Sequence, residues 1–212
     1  YMVNVRDAGG CFASAGVTLV IPPPINAIVS ASATTLSCFG DTSASITVSA
    51  VSGGQGSNYT YTLNMVSPTV SVSGPQASPI FTDLGAGTYN VTVTDGYNCS
   101  FNSPDVVINQ PTIVEASLVK ETSPTCLTNA SLTLSATGGT APYTFSDTST
   151  FSTVLGSFST SITLSVSSGT YTYYVRDANG CVSQVSNEIT IDPLPPLSVS
   201  LDVTNATINC AG

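Results

Sequence analysis

The chain has no histidine and no tryptophan, and only three of its 212 residues are lysine or arginine. Without histidine, neither a Ser-His-Asp nor a Cys-His nucleophilic site can form within these residues. Three cations, Arg6, Lys120 and Arg176, cannot neutralise a phosphate track, which excludes nucleic acid, and they give no hold on an anionic membrane surface. Charged residues make up 7% of the chain, against about 25% in ordinary domains. No run of about 18 apolar residues is present to span a bilayer. The cysteines never fall at the C-x-x-C spacing that zinc clusters need. No signal peptide is visible, and its absence carries no weight.

What remains is a hydrophobic content of 42% with a net charge of −9. Cores can therefore form, while Ser, Thr and Asn supply solubility and the negative charge limits self-association. The chain also repeats itself. Tyr1-Met-Val-Asn-Val-Arg-Asp7-Ala-Gly-Gly-Cys11 recurs from Tyr89 through Asp95 to Cys99, and again from Tyr171 through Asp177 to Cys181. The steps are 88 residues (Tyr1 to Tyr89) and 82 (Tyr89 to Tyr171). A period of that length with alternating strands inside it is one small β-domain per repeat.

Within the repeat, Ser45-Ile-Thr-Val-Ser-Ala50 matches Ser131-Leu-Thr-Leu-Ser-Ala136. Apolar and hydroxyl residues alternate there with period two, as in a sheet with one buried face. A preceding strand runs Ile28 to Cys38, Ile113 to Cys126 and Leu197 to Cys210. Double glycines follow at Gly53-Gly54 and Gly138-Gly139, where a tight turn needs positive φ. A third strand is expected at Tyr59-Thr-Tyr61 and Pro142 to Phe145, and a variable middle at 64–79 and 146–161. Tyr89 and Tyr171 follow small-residue turns, the arrangement of a tyrosine corner. A last strand, Val17 to Ile21, Val106 to Ile108 and Ile189 to Ile191, ends before a proline each time. About seven short strands per repeat and no helical period predict tandem immunoglobulin-like antiparallel β-sandwiches. The expected division is 1–24, the last strands of one repeat; 25–111 and 112–194, two complete repeats; and 195–212, the first strand of another.

The combination Ser-Cys-Phe-Gly, Ser-Ile-Thr-Val-Ser, Gly-Gly, Tyr-Thr-Tyr, Leu-Gly-Ala-Gly-Thr-Tyr-Asn-Val-Thr-Val-Thr-Asp and a closing Cys resembles the SprB-type repeat of Bacteroidetes surface adhesins, some of them used in gliding motility. The resemblance spans residues 27–194 and extends into both ends. It departs from the usual pattern in lacking a tryptophan after Tyr-Thr-Tyr, where Leu63 and Ser146 fall. It implies type IX export, display outside the outer membrane, and a role in adhesion or filament building.

Candidate sites are few. The twelve acidic residues are scattered. Asp7, Asp95 and Asp177 recur at one position, and a lone Asp opening an Asp-Ala-Asn-Gly turn is expected to accept backbone N–H groups two residues on rather than to hold calcium, which wants several converging oxygens. No metal or other cofactor is expected. Of the adjacent Tyr173 and Tyr174, one must face out of the sheet. Five sequons, at Asn58, Asn90, Asn98, Asn129 and Asn205, are expected to be unused in a bacterial protein. Lys120, the only lysine, has no repeat counterpart that would make an isopeptide bond a feature of the array.

The six cysteines, Cys11, Cys38, Cys99, Cys126, Cys181 and Cys210, occupy two fixed places in the repeat and suit disulfides in an oxidising extracellular setting. Three pairings stay open. The first is within each domain, Cys38–Cys99 and Cys126–Cys181. The second is Cys38 with Cys181, between successive domains. The third runs across each linker, Cys11–Cys38, Cys99–Cys126 and Cys181–Cys210. The first is strained by geometry: the two positions lie at opposite ends of a strand about 23 Å long, and bridged Cα atoms sit within roughly 7 Å.

These features point to a non-enzymatic, extracellular repeat segment of a large surface adhesin or filament. Its expected partners are further repeats of the same chain, laterally associated copies and a surface polysaccharide. A spacer array in a secreted enzyme and carbohydrate-binding repeats are the alternatives.

Overall fold

A computed structural model gives the fold, and the residues described are 1–201. The chain divides into two compact units, with the boundary between Pro111 and Thr112. All regular structure among the described residues is β.

The N-terminal hairpin is β1 (Met2–Arg6) and β2 (Phe12–Gly16), paired in register from Met2↔Gly16 to Arg6↔Phe12. Both of its strands are exposed along their whole length. The expected strand at Val17 to Ile21 does not form. Val17 N–H bonds the Tyr1 carbonyl, where the pairing runs out, and the chain beyond has no partner strand.

The first sandwich contains β3 (Asn26–Ala31), β4 (Ala44–Ser52), β5 (Thr60–Ser67), β6 (Ser71–Gln76), β7 (Ile80–Leu84), β8 (Gly87–Thr94), β9 (Ser100–Asn102) and β10 (Val106–Ile108). One sheet has the order β3-β4-β7 and the other β10-β8-β5-β6, with β9 also on β8. Alternation explains which face is buried. Ala44, Ile46 and Val48 of β4 point inward and are buried, while Ser45 and Thr47 between them are half-exposed. They meet Leu63 of β5, Phe81 of β7, and Tyr89, Val91 and Val93 of β8 in one core. Removing such a side chain from water contributes about 1.5–3 kcal/mol each. The expected first strand, Ile28 to Cys38, is interrupted after Ala31. The chain crosses to the opposite sheet, where Thr35 makes a parallel bridge to Asn109.

The second sandwich repeats this plan with β11 (Glu115–Thr122), β12 (Ala130–Thr137), β13 (Tyr143–Ser146), β14 (Gly156–Phe158), β15 (Ser161–Val166), β16 (Gly169–Tyr171), β17 (Tyr174–Arg176) and β18 (Ile189–Ile191). Its sheets are β11-β12-β15, β14-β13-β17 and the pair β16-β18. The single strand β8 of the first unit thus corresponds to two pieces here. Between and beside them, serine hydroxyls stand in for ladder partners: Ser186 Oγ accepts Tyr173 N–H at 3.0 Å and Ser183 Oγ accepts Val175 N–H at 2.9 Å. Tyr173 is accordingly buried against Phe145 in an edge-to-face contact, and Tyr174 is half-exposed. Leu132 and Leu134 of β12 are fully buried, while Ser131, Thr133 and Ser135 line the outward face opposite Ser165, Thr163 and Ser161. Both units are immunoglobulin-like sandwiches, three strands facing the rest.

Candidate functional site

The recurrent residues cluster at the two ends of each sandwich, and the turn Asp organises one of those ends. Asp95 Oδ1 accepts the N–H groups of Tyr97 and Cys99, both at 2.9 Å, and Oδ2 accepts Gln55 N–H at 2.8 Å. Asp177 repeats the pattern: Oδ1 takes Asn179 and Cys181 N–H at 2.9 Å each, and Oδ2 takes Thr140 N–H at 2.8 Å. The first half of this arrangement is the turn expected from the sequence. The second half, a clasp onto the residue after the double glycine, is not among the sequence expectations. Its signal is present in the chain all the same, because Gly-Gly and Asp recur together in both repeats.

The clasp explains the glycines. Gly138 sits at φ 72°, and a Cβ there would run into the Ile113 carbonyl. Gly139, at φ 59°, would set its Cβ 2.6 Å from Asp177 Oδ2. Backbone and carboxylate approach too closely for any side chain, so the pair is fixed by packing as well as by conformation. Tyr59 and Tyr143 lock the same turn, donating to the Gly53 and Gly138 carbonyls at 2.6 Å. Three N–H donors on one buried carboxylate favour its charged form. The Gln55 N–H, followed by those of Tyr97 and Cys99, holds Asp95 below the usual carboxylate range although burial opposes it. Burial, and then the neighbouring Asp95 charge, push the Cys99 thiol up.

Asp7 makes the same turn in the N-terminal hairpin. Its Oδ1 accepts Cys11 N–H at 2.8 Å, and its own N–H bonds the Cys11 carbonyl at 3.0 Å, as Asp95 does with Cys99 and Asp177 with Cys181. Elsewhere the hairpin differs. Val3 and Val5 are 62% and 63% exposed, whereas the corresponding Val91 and Val93 are fully buried.

The corner tyrosines stand nearer the other end. Tyr89 Oη donates to the Gly85 carbonyl and Tyr171 Oη to the Ser167 carbonyl, both at 3.0 Å and both four residues upstream. Burial raises the Tyr89 hydroxyl above its ordinary pKa.

The cysteines divide between the ends. Cys99 and Cys181 belong to the Asp turns, beside Ile25 and Val114, where the chain enters each core. Cys38 lies in the loop held by Leu36 N–H on the Asn109 carbonyl and by Gly40 N–H on Gln110 Oε1, where the chain leaves the first unit. Cys126 lies in the corresponding loop of the second unit, whose Thr125 and Thr128 share a cleft with Asp192, Pro193 and Leu194. Cys38 and Cys181 are disulfide-bonded, and Cys11, Cys99 and Cys126 carry free thiols. Neither bond of the within-domain pairing, Cys38–Cys99 or Cys126–Cys181, is therefore formed. Each would have to join opposite ends of one sandwich. Cys210 lies outside the described residues, as does most of the third copy of the first strand.

Buried side-chain polar atoms all have hydrogen-bond partners among the described residues. These residues also hold no group of three or more His, Cys, Asp or Glu side chains that could bind a metal ion.

The SprB repeat model matches residues 30–68 and 121–147. No curated protein matches the chain. Among solved structures, it is similar to the three N-terminal domains of the highly immunogenic outer capsid protein of bacteriophage RB49, at 18% identity and a TM-score of 0.39 over 79% of this chain. It is similar also to a C-terminal fragment of intimin solved with the intimin-binding domain of its translocated receptor, at 18% identity and 0.37 over 80%. A third is a tetra-tandem repeat from the extending region of a large adhesion protein, at 15% identity and 0.29 over 90%. The chain spans 59%, 64% and 55% of those three chains respectively. Both matched segments contain the alternating β-strand framework, one in each sandwich, which is consistent with a SprB-type repeat in each unit.

Proposed function

We propose that this chain is a non-enzymatic, extracellular stretch of a large cell-surface adhesin or filament, in which sandwich repeats in series supply reach. The hairpin β1–β2 belongs to a preceding repeat, and residues 195–212 open a following one. The observation that carries the reading is the same framework built twice from different loops. Each sandwich has an Asp clasp on a double glycine, a tyrosine bonded four residues back, and one SprB match. A third Asp turn supports the assignment of the hairpin. A unit that folds on its own local core can be added without creating a new folding problem. Export by the type IX route and a part in gliding are what the SprB resemblance adds.

The test is immunogold electron microscopy of intact source cells with an antibody raised against residues 27–194. Label running along fibres that extend from the cell is expected. Label confined to the medium and co-purifying with a hydrolytic activity would replace this reading with that of a spacer in a secreted enzyme.

A further inference from the structure

In the second unit β15 ends the sheet β11-β12-β15 and has a strand on one side only. The far edge of the same sheet tells which of its backbone groups point away from β12. Asn187 bonds both backbone groups of Leu118, so these face out of the sheet, and Leu118 and its partner Leu134 are a pair without mutual hydrogen bonds. Antiparallel ladders alternate, so the N–H and C=O of Leu134 turn the other way, toward Ile162 of β15. The bond from Ala136 N–H to the Thr160 carbonyl, two residues along, keeps the same phase. Ile162, Leu164 and Val166 therefore turn their backbone groups to β12 and their side chains to the core. Ser161, Thr163 and Ser165, all exposed, present theirs at the open edge.

The other strands that end a sheet in the two sandwiches are blunted. Asn187 covers β11. On β7, the counterpart of β15 in the first unit, Gln76 Nε2 donates to the Ile80 carbonyl at 2.9 Å and Ile80 N–H donates to Ser78 Oγ at 3.3 Å. Asp83, at φ 60°, then breaks the line of that strand. β6 carries Pro75 and a register shift, β3 has a register shift between Asn26 and Ile28, and β9, β10, β14, β16, β17 and β18 are three residues long. β15 has six residues, pairs with β12 without a shift, and contains no proline, glycine or charge. It lacks every device by which edges usually avoid pairing. No residue from Thr148 to Val175 is charged, in a chain of net charge −9.

We infer that this edge takes the same edge of a second copy of the chain, β15 against β15 about a two-fold axis. The strand is complementary to itself, because the residues with outward backbone groups sit symmetrically about Thr163. Thr163 faces its own counterpart in the second copy, and Ser161 faces Ser165. These pairs exchange N–H···O=C bonds, and hydroxyl side chains suit each other across strands. Ile162 comes beside Leu164 on the core side, and two sheets of three strands join as one of six. An uncharged strand is also where two acidic chains repel each other least. The inference rests on the adhesin or filament reading and locates the contact through which its laterally associated copies meet.

The test is sedimentation velocity on the chain 1–212 over a wide concentration range, with free thiols alkylated. Salt at about 0.15 M screens charges beyond about 8 Å. A shift from one chain to two is expected as concentration rises. Hydrogen exchange at the same concentrations should slow at the Thr163 and Ser165 amides and stay constant at Ile162, whose N–H is already bonded to β12. Thr163→Lys sets two like charges opposite each other and is expected to abolish the dimer. Because Thr163 is exposed, the thermal unfolding of this variant as a monomer should match that of the native chain. Thr163→Pro, which removes the central N–H of the open edge, should also abolish the dimer. A monomer at every concentration overturns the proposal and leaves the edge to a strand of another protein. A dimer that survives Thr163→Lys, or that leaves the Thr163 amide unprotected, overturns it too and moves the contact elsewhere, to the exposed hairpin β1–β2 first. None of these results bears on where the protein is displayed, so immunogold labelling can fail or succeed independently.

Discussion

Asp95 Oδ2 accepts the backbone N–H of Gln55 at 2.8 Å, tying together two turns forty residues apart in the chain. The same bond joins Asp177 to Thr140 at the same distance. One carboxylate thus closes its own turn with one oxygen and fastens the neighbouring turn with the other.

The pH dependence follows. Asp95 is held below the ordinary carboxylate range, so its contribution is present above the unfolded pKa of about 4 and is lost as pH falls through the folded value. Asp95→Asn is expected to speed hydrogen exchange in β8 at neutral pH. The difference from the native chain should shrink as pH is lowered below about 4. A difference that stays constant down to pH 2 would show that the charge is not what matters.

Two glycines separate conformational strain from steric conflict. Gly180→Ala, at φ 91° with open space around the added Cβ, should cost about 1–2 kcal/mol. Gly138→Ala adds a collision with the Ile113 carbonyl and should cost about 3 kcal/mol or more. Denaturant unfolding of the two variants checks the order, and equal losses would remove the steric argument.

Tyr89→Phe and Tyr171→Phe each delete one hydroxyl and its bond to a carbonyl four residues upstream. A loss of about 1 kcal/mol is expected from each, with the larger effect at the fully buried Tyr89. Thermal unfolding is the measurement, and an unchanged transition for Tyr89→Phe would mean that the corner is dispensable here.

Asn187 bonds both backbone groups of Leu118, accepting its N–H at 2.8 Å and donating to its carbonyl at 2.7 Å. It therefore covers the outer edge of β11 as a strand would. Asn187→Ala should cost about 1–3 kcal/mol and expose that edge. Hydrogen exchange at the Leu118 amide reads it directly: protection that survives the substitution would rule out this role.

Much of this fold is legible in the chain. Alternation in Ser45-Ile-Thr-Val-Ser and Ser131-Leu-Thr-Leu-Ser fixes which face is buried, because side chains on a strand change sides at every residue. The spacing from Tyr89 to Asp95 and from Tyr171 to Asp177 marks the corner and the turn, since both depend on contacts within a few residues. Where the first strand leaves its sheet is not legible, as Ala31 to Cys38 carries no change in pattern and the partner Asn109 lies some seventy positions on. Nor is the break between β16 and β17, where the distant Ser186 accepts Tyr173 N–H just as Ser103 accepts Val91 N–H in the unbroken β8.

The sequence by itself determined the repeat, its period, its strand class, and the absence of histidine chemistry, because each is local in the chain or a property of composition. Tertiary structure decided what the recurrent residues are for. It set the second oxygen of Asp95 on Gln55 and placed Cys38 and Cys99 at opposite ends of one sandwich. The physical reason is the same in both cases: a hydrogen bond reaches about 3 Å and a disulfide about 7 Å between Cα atoms. Only the folded chain determines which residues, far apart in sequence, come within those distances.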